Sequence, residues 1–216
     1  MCVRVDTYIC VQLGTNLIFM VKMERDREMT EEKLINAVGE LISEEGFETL
    51  GIRKVAEKAG VNKTLIYRYF ESLDGLIYAF MKKNDFLVNT TKEQLDSSDI
   101  KGYLKSFFRR EIADFRGNIA LRRMRRWELS TDKDIIIEIR AQREKSGVQF
   151  MEYMFQFAKV SKEELQSISA IINAGITYLA MLEDTCQVYN DIDIQSDSGW
   201  EQIAKGIDSL IDIMIK

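Results

Sequence analysis

The sequence predicts an all-α protein, and three observations support this prediction. The 216 residues include no proline and only 12 glycines, so the residues that most often interrupt regular structure are scarce. From Thr30 onward, apolar residues recur at spacings of three and four, as in helices that bury one face. No segment shows the alternating pattern of a strand, whereas an all-β chain would need a turn about every 8–12 residues.

Capping residues and glycines divide the N-terminal half into four predicted helices. Thr30 is a candidate N-cap, because glutamates follow it in the first turn, and Gly46 ends this first helix. The next three helices are predicted at Ile52–Ala59, at Lys63–Phe70 and from Ser72 to about Thr90.

Residues 1–28 are expected to form an N-terminal extension outside the folded core. The stretch from Met1 to Met23 is fairly apolar, but polar residues at positions 6, 12 and 16 interrupt it. It therefore lacks the roughly 20 consecutive apolar residues of a membrane span. It also lacks the basic start and continuous apolar block of a secretory signal. Translation from Met20 or Met23 is an open alternative.

A polar connector, Asn89–Asp99, precedes a larger C-terminal region, so the chain is divided into residues 1–28, 29–86 and 87–216. Three helices of the last part are predicted at Ile100–Phe115, Asn118–Leu129 and Asp134–Val160. Two capping boxes, each a serine followed three residues later by a glutamate, start the final helices at Ser161 and Ser198. These helices are expected to run to about Asp184 and to Lys216.

Composition excludes several classes of function. Without histidine, the chain has no Ser-His-Asp or Cys-His catalytic set, no HExxH zinc site and no histidine-ligated haem. The three cysteines form no CxxC pair, which argues against a disulfide framework or zinc knuckle and favours a reducing cytoplasm. Aspartates 191, 193 and 197 resemble a calcium loop, but Ser196 replaces its glycine and Gln202 its final glutamate. We expect a binding protein without metal or cofactor, and not an enzyme.

Residues 52–70 carry the most specific pattern in the sequence. Ala56, Gly60 and Ile66 have the spacing of a helix-turn-helix, with a small residue at the helix contact, a glycine for the left-handed turn and a branched anchor. Five cations and one acid between residues 53 and 68 give this segment a net charge of +4, against −5 for the chain. Its outward positions hold donors suited to base edges or phosphates: Asn62, Lys63, Thr64, Tyr67 and Arg68.

This region resembles the N-terminal domain of the TetR family of transcriptional regulators. The resemblance covers about residues 30–80 and rests on Gly46-Phe47, Val55-Ala56, Ala59-Gly60-Val61 and Leu65-Ile66-Tyr67-Arg68-Tyr69-Phe70, followed by Ser72 and Leu76. It implies a homodimeric repressor with three DNA-binding helices. It also implies a larger helical C-terminal domain that binds a small-molecule inducer and forms the dimer.

The resemblance assigns DNA contacts by position. Lys63 and Thr64 would meet the major groove, with Asn62 near the start of that helix, and Tyr67 and Tyr69 would hold phosphates. Two positions depart from the family pattern: Leu73 replaces a usual phosphate-binding lysine, and Gly51 replaces a common capping threonine. Fewer phosphate contacts would lower the affinity and flatten its salt dependence. Binding would then depend more on three cations, Arg53, Lys54 and Arg68.

The helix that starts after Ser161 is apolar on nearly all sides, so it must be buried on two faces. Together with the apolar stripe of the last helix, it would form a four-helix interface with a second copy. A central place in a monomer core is the alternative, and the family resemblance favours the dimer. The predicted interface residues are Ile168, Ile172, Ile176, Leu179, Ile207, Leu210 and Ile211.

Aromatic residues and methionines in the C-terminal part suggest an apolar effector pocket with a few polar groups. Ordinary core packing is the alternative for each of them, and the two polar groups could instead hydrogen-bond across the dimer. We expect a hydrophobic or aromatic effector. The predicted lining residues are Tyr103, Phe107, Met124, Trp127, Phe150, Met154, Phe157, Asn173 and Thr177.

Five arginines lie close together between residues 116 and 126 with no acid among them. Because Met124 and Trp127 are expected to face inward, the arginines are predicted to form a solvated rim. A second site for DNA or for an anionic ligand is the weaker alternative. The arginines are Arg116, Arg122, Arg123, Arg125 and Arg126.

The sequence therefore predicts a cytoplasmic, dimeric repressor that binds double-stranded operator DNA, has no membrane partner and is released by a small effector. An architectural DNA-binding protein without an inducer is one alternative, and side chains would then fill its pocket. A helical ligand carrier or enzyme with a degenerate helix-turn-helix is the other, and it would not retain its own upstream DNA.

Overall fold

The computed structural model describes residues 5–84 and 98–216, and their side chains from residue 24 onward. Four helices form the N-terminal part: α1 (Val5–Glu45), α2 (Ile52–Ala59), α3 (Thr64–Phe70) and α4 (Leu73–Lys83), with a 3-10 turn at Phe47–Thr49. Five helices lie in the described residues of the C-terminal part, 98–216: α5 (Ile100–Gly117), α6 (Ile119–Leu129), α7 (Asp134–Phe155), α8 (Lys162–Leu182) and α9 (Asp197–Met214). The all-α prediction is confirmed.

A small hairpin between α8 and α9 was not predicted. Its strands, β1 (Val188–Tyr189) and β2 (Ile192–Asp193), pair antiparallel with Tyr189 opposite Ile192. Asn190 and Asp191 between them both have positive φ, at 49° and 63°. Two such residues form the tight turn that suits the twist of a two-residue hairpin, and Asn and Asp tolerate it. Strands of two residues are too short to produce a recognisable alternation in the sequence.

The prediction that Thr30 starts the first helix is wrong. Helix α1 runs for 41 residues from Val5, and Thr30 lies inside it with its hydroxyl donating to the carbonyl of Asp26 at 2.7 Å. A threonine hydroxyl bonds the carbonyl four residues earlier when the chain upstream is also helical. Residues 24–29 are exposed, and the side chains before them lie outside the described part of the chain.

The N-terminal helices enclose one apolar core. Leu34, Val38 and Ile42 on the inner face of α1 are fully buried, together with Ile66 of α3 and Ile77 of α4. The corner between α3 and α4 is tight, since a Cβ added to Gly75 would lie 2.0 Å from the Phe70 carbonyl oxygen. Ser72 caps α4 by accepting a hydrogen bond from the Gly75 backbone N–H at 3.0 Å. Helix α3 is therefore held in a fixed position relative to α4.

In the C-terminal part, α5 packs against both α8 and α9. The backbone N–H of Lys159, just before α8, donates to the Met214 carbonyl at the end of α9, at 2.7 Å. The capping box at Ser161 is confirmed. The one at Ser198 is wrong, because Ser196 caps α9 by accepting from the Gly199 N–H at 3.0 Å. Helix α7 ends at Phe155, before the predicted Val160.

Candidate nucleic-acid interface and ligand cavity

The turn between α2 and α3 is built by the residues that the sequence singled out. Gly60 takes the left-handed conformation at φ 65° and ψ 33°. The backbone N–H of Val61 donates to the Ala56 carbonyl at 3.0 Å, and that of Gly60 to the Glu57 carbonyl at 3.1 Å. This pair of bonds ends α2 in a Schellman motif. With Ala56 and Ile66 buried at the helix contact, the turn holds α3 in one orientation.

Asn62, one of the predicted DNA-contacting residues, bonds the first residue of α3 from just before the N-cap position, Lys63. Its Oδ1 accepts hydrogen bonds from the backbone N–H and the hydroxyl of Thr64, both at 2.9 Å. Asn62 thus has a structural role at the start of the helix, and only its side-chain amide nitrogen is left to donate outward. An asparagine side chain that accepts from the backbone N–H two residues later is a local pattern, so this bond could have been predicted from the sequence.

The outer face of α3 lies opposite the fully buried Ile66. Tyr67 is 52% exposed. Lys63, Thr64 and Arg68 are also exposed. The side chains suited to groove and phosphate contacts thus form one continuous surface on a rigid support.

The positive charge of α2 is partly neutralised by α1. Lys54 forms an ion pair with Glu45, and the Lys58 ammonium lies 2.7 Å from a Glu44 carboxylate oxygen. Hydrogen bonding to Glu44 raises the pKa of Lys58. Among the described residues, Arg53 forms no ion pair and is exposed. Arg53 is therefore a stronger candidate for a phosphate contact than Lys54, which the sequence had ranked with it.

Tyr69 is half-buried between two guanidinium groups. Arg68 lies 5.8 Å from its ring centroid and Arg27 lies 5.3 Å from it. Arg27 belongs to the upstream part of α1, which sequence reasoning had placed outside the core, and it also pairs with Glu31 at 2.6 Å. An arginine 42 positions before Tyr69 could not be linked to the recognition helix by local patterns. The upstream part of α1 thus reaches the candidate DNA-binding surface.

A cavity of about 520 Å³ lies where the end of α4 meets α5, α6 and α8. Its volume is within the range of small-molecule sites, about 300–1,000 Å³. Two of the predicted pocket residues, Asn173 and Thr177, line it. Other lining residues, missed by the sequence, include Lys83, Asn84, Glu111, Asn118 and Arg125.

The aromatic pocket predicted from the sequence is a packed core. Phe107 stacks on Phe150 with centroids 5.5 Å apart, and Tyr103 packs beside Phe107 at 6.2 Å. The void near Phe150 and Met154 measures only about 30 Å³. Met124 is fully buried, and Phe157 packs on Tyr153 at 5.4 Å. The prediction is therefore wrong for these residues. The sequence could not distinguish the two cases, because apolar side chains that pack in a core and those that line a cavity give the same pattern.

Trp127 is also outside the cavity. Its ring stacks on Phe47 with centroids 3.7 Å apart and the planes inclined by 17°. Next to it, Arg123 donates from Nη1 to the carbonyls of Ile42 and Ser43, both at 3.0 Å, and so caps the last turn of α1. Helix α6 therefore holds the end of α1 through a ring contact and a charged cap.

The predicted solvated rim of arginines is wrong. Arg122 is buried and donates to the Phe115 carbonyl at 2.8 Å and to Asp184 at 2.9 Å. Arg126 donates to the other oxygen of Asp184 at 2.7 Å. Burial opposes ionisation of Asp184, but these two hydrogen bonds outweigh it and lower the pKa of its carboxyl. These arginines thus pair with an acidic residue that is distant in the sequence, and the pairs connect different helices.

Arg116 and Arg125 are paired in the same way. Arg116 lies 2.7 Å from Asp197 and 3.1 Å from Glu183, joining α5 to the end of α8 and the start of α9. Arg125 and Arg143 both bind the buried carboxylate of Glu128, at 3.1 Å and 2.7 Å. A second DNA site built from free arginines is not supported by this arrangement.

Four of the seven predicted dimer residues lie in the core of the protomer. Ile172, Ile176, Ile207 and Ile211 are buried, so they have no surface to offer a partner. Ile168 and Leu179 are half-buried, and Leu210 is exposed. The most exposed apolar residues on α8 and α9 were not in the predicted set: Ile171, Tyr178 and Ile213.

The fold and the α2–α3 surface define a DNA-binding transcriptional regulator, with a helix-turn-helix domain attached to a larger helical domain. Residues 34–80 match the family model of bacterial regulatory proteins of the TetR family. The TetR assignment made from the sequence is thus confirmed, and this N-terminal domain is a TetR family domain. No curated protein matches the chain significantly.

Solved structures establish the same fold over most of the chain. A TetR family regulator from Marinobacter aquaeolei VT8 is 16% identical, with a TM-score of 0.64 over 90% of this chain and 99% of that one. NalD, the secondary repressor of the MexAB-OprM multidrug efflux pump in Pseudomonas aeruginosa, is 16% identical, with a TM-score of 0.63 over 88% and 98%. A TetR family protein from Vibrio parahaemolyticus is 18% identical, with a TM-score of 0.54 over 87% and 99%.

Proposed function

We propose that this protein is a cytoplasmic homodimeric repressor, that it binds operator DNA through α3, and that a small molecule in the cavity releases it. The observation that carries this proposal is the exposed surface of α3, held on a capped and buried frame. It acts as a binding protein and not as an enzyme. Lys63 and Thr64 would enter the major groove, and Arg53, Tyr67 and Arg68 would contact phosphates.

The dimer would form through the outer faces of α8 and α9. Both helices pack on α5 by their inner faces, and their outer faces leave Ile171, Tyr178, Leu210 and Ile213 exposed. Tyr189 of the hairpin packs edge-on against Tyr178 at 6.0 Å and extends this apolar surface. Two helices from each copy would make a four-helix interface. Operator binding would require the α3 helices of the two copies to lie about one turn of DNA, roughly 34 Å, apart.

Helix α8 is also long and apolar enough, by length and composition, to cross a membrane. Its inner face packs against α5, α6 and α7 of the same protomer. Residues such as Ile172 and Ile176 are therefore already covered, and only one stripe needs a partner. We assign that stripe to the second copy of the chain.

Release of DNA would use α4 as the connecting element. Its first turn is fixed to the end of α3 by the close approach of Gly75 to Phe70, and its last residues, Lys83 and Asn84, line the cavity. A ligand that binds the cavity more tightly when α4 takes a different position would favour that position of α4. The α3 helices of the dimer would then rotate away from the operator. A coupling of about 1–3 kcal/mol would lower operator affinity roughly 5–150-fold.

The direct test is fluorescence anisotropy with a duplex from the region upstream of the protein's own gene. Lys63→Ala should weaken binding, whereas Lys145→Ala, at an exposed position of α7, should not. Equal affinities of the two variants at moderate salt would contradict the assigned surface. DNA binding that no ligand of the cavity changes would favour the architectural alternative.

A further inference from the structure

The inner face of α1 continues upstream of the apolar core. Arg27 lies two helical turns before Leu34 and three turns before Val38, and these spacings return to the same face of a helix. Leu34 and Val38 are fully buried, whereas the side chain of Arg27 is 59% exposed. The face that packs against the other N-terminal helices therefore presents a guanidinium group where it leaves the core.

Arg27 shares an aromatic ring with Arg68 of α3. The guanidinium carbon of Arg27 lies 5.3 Å from the ring centroid of Tyr69, and that of Arg68 lies 5.8 Å from the same centroid. Arginine stacks on aromatic rings without losing its charge, so both groups keep their attraction for an anion. Two positive charges thus lie close together at the end of α3.

The hydrogen bond that Arg27 forms leaves most of its donors unused. Its Nε donates to Oε1 of Glu31 at 2.6 Å, and Glu31 follows one turn later on the same helix. The two terminal nitrogens form no hydrogen bond with any of the described residues. These nitrogens are the ones that bind phosphate oxygens in pairs. Glu31 therefore holds the guanidinium group in place while its outer donors remain open to a further partner.

The cleft between the start of α1 and the end of α3 also contains carboxylates. Arg27, Arg68 and Tyr69 line this cleft. The acids lower its electrostatic potential as a whole, so the cleft does not attract an anion from a distance. An anion would be held only where the two guanidinium groups contact it directly, as they can once α3 has brought the DNA backbone to Arg68. The acidic lining residues are Glu24, Asp26, Glu28 and Glu31.

We propose that Arg27 binds a phosphate of the operator backbone next to the phosphate that Arg68 binds, so that the DNA-binding surface includes the upstream part of α1. The proposal rests on the DNA-binding function proposed above. Successive phosphates of one strand lie about 3.4 Å apart along the axis of DNA, which suits two neighbouring guanidinium groups. Arg27 precedes residues 34–80, which match the family model, so this contact lies outside the matched domain.

The test is the salt dependence of operator affinity, measured by fluorescence anisotropy with the full-length protein and the upstream duplex. Each phosphate that a protein neutralises contributes about 0.9 to the slope of log association constant against log salt concentration. With one contact in each copy of a dimer, Arg27→Gln should lower the magnitude of the slope by about 1.8. It should also weaken binding about tenfold or more at moderate salt. Arg27→Lys keeps the charge and should retain most of the slope.

Arg25→Gln is the matched control. Arg25 is exposed and lies two positions before Arg27, which places it about 200° around the helix, on the opposite face. The control changes the net charge equally but leaves the contacts at the Tyr69 ring intact, so it should keep the slope of the parent protein. Equal losses of slope in Arg25→Gln and Arg27→Gln would overturn the proposal, because the effect would then come from net charge alone.

Two further outcomes separate this proposal from the function on which it rests. If the parent protein binds the duplex and Arg27→Gln binds it with an unchanged slope, the Arg27 contact is overturned and α3 remains the DNA-binding surface. Weaker binding at that unchanged slope would mean that Arg27 only positions Tyr69. A parent protein that does not bind the duplex would overturn the proposed function as well. Circular dichroism of each variant establishes that it is folded, as expected for changes at exposed positions.

Discussion

Trp127 of α6 and Phe47 of the 3-10 turn stack face to face, with ring centroids 3.7 Å apart. The two residues are 80 positions apart and lie in the two predicted domains. Arg123 caps the end of α1 beside this stack, and Lys133 at the start of α7 pairs with Asp74 of α4 at 2.9 Å. The boundary predicted between residues 86 and 87 falls outside the described residues, but the domains on either side share an extensive contact. Movement in the C-terminal helices would therefore reach the recognition helix through α1 as well as α4.

Replacing Trp127 by alanine should weaken this contact without affecting the cavity. We expect the free energy of unfolding to fall by about 1–3 kcal/mol, less than for a fully buried tryptophan because the ring is half-buried. Trp127→Phe keeps the stacking and should lose less. Urea unfolding measures the loss, and calorimetry of a cavity ligand should give an unchanged affinity. A large change in that affinity would show that Trp127 contributes to ligand binding, as the sequence had predicted.

The two apolar faces of the dimer helices should respond differently to a carboxylate. Ile213→Asp, at a position 66% exposed in the protomer, should give a folded monomer. Ile176→Asp, at a position 1% exposed, should prevent folding, because burying an unpaired carboxylate costs several kcal/mol. Sedimentation velocity with circular dichroism distinguishes the outcomes. A dimeric Ile213→Asp protein would show that the interface lies elsewhere.

Tyr67→Phe should weaken operator binding by removing a phosphate donor from the outer face of α3. A hydrogen bond to a charged group accounts for about tenfold or more in affinity. The loss should be uniform across operator variants, since phosphate contacts carry no sequence information. Tyr153→Phe, which keeps the ring contact with Phe157 in the C-terminal part, is the matched control. A loss that depends on the operator sequence would indicate a base contact instead.

Asp184 should make stability depend on pH. Its folded-state pKa lies below the ordinary value, because Arg122 and Arg126 hold the carboxylate despite its burial. The stabilisation is therefore fully present above the unfolded-state pKa, about 4, and is lost as the pH falls through the folded-state value. Urea unfolding should show that Asp184→Asn is less stable than the parent at pH 7 and that this difference shrinks below pH 4. A constant difference between Asp184→Asn and the parent over this pH range would contradict the linkage.

Local signals predicted the turn of the helix-turn-helix and one of the two capping boxes correctly. The turn at Gly60 and the capping box at Ser161 depend on residues within six positions of each other, so the sequence contains all the groups involved. Where two local solutions competed, the prediction was wrong. Ser196 and Ser198 both suit an N-cap, and the structure uses Ser196, so that the helix starts at Asp197. In that arrangement the backbone at Gly199 packs closely on the hairpin, because a Cβ added to Gly199 would lie 1.9 Å from the Asp193 carbonyl oxygen.

By itself the sequence determined the all-α class, the helix-turn-helix and its outward row of donors, because helical period, caps and turns are properties of short segments. Only the tertiary structure decided which face of α8 is covered, which acids pair with the arginines and where the cavity lies. Ile172 and Ile171 are neighbours in an apolar helix, and one is buried while the other is 70% exposed. The physical reason is that burial and pairing depend on groups from other helices, such as Asp184 for Arg122, which are 62 positions away and close only after the chain has folded.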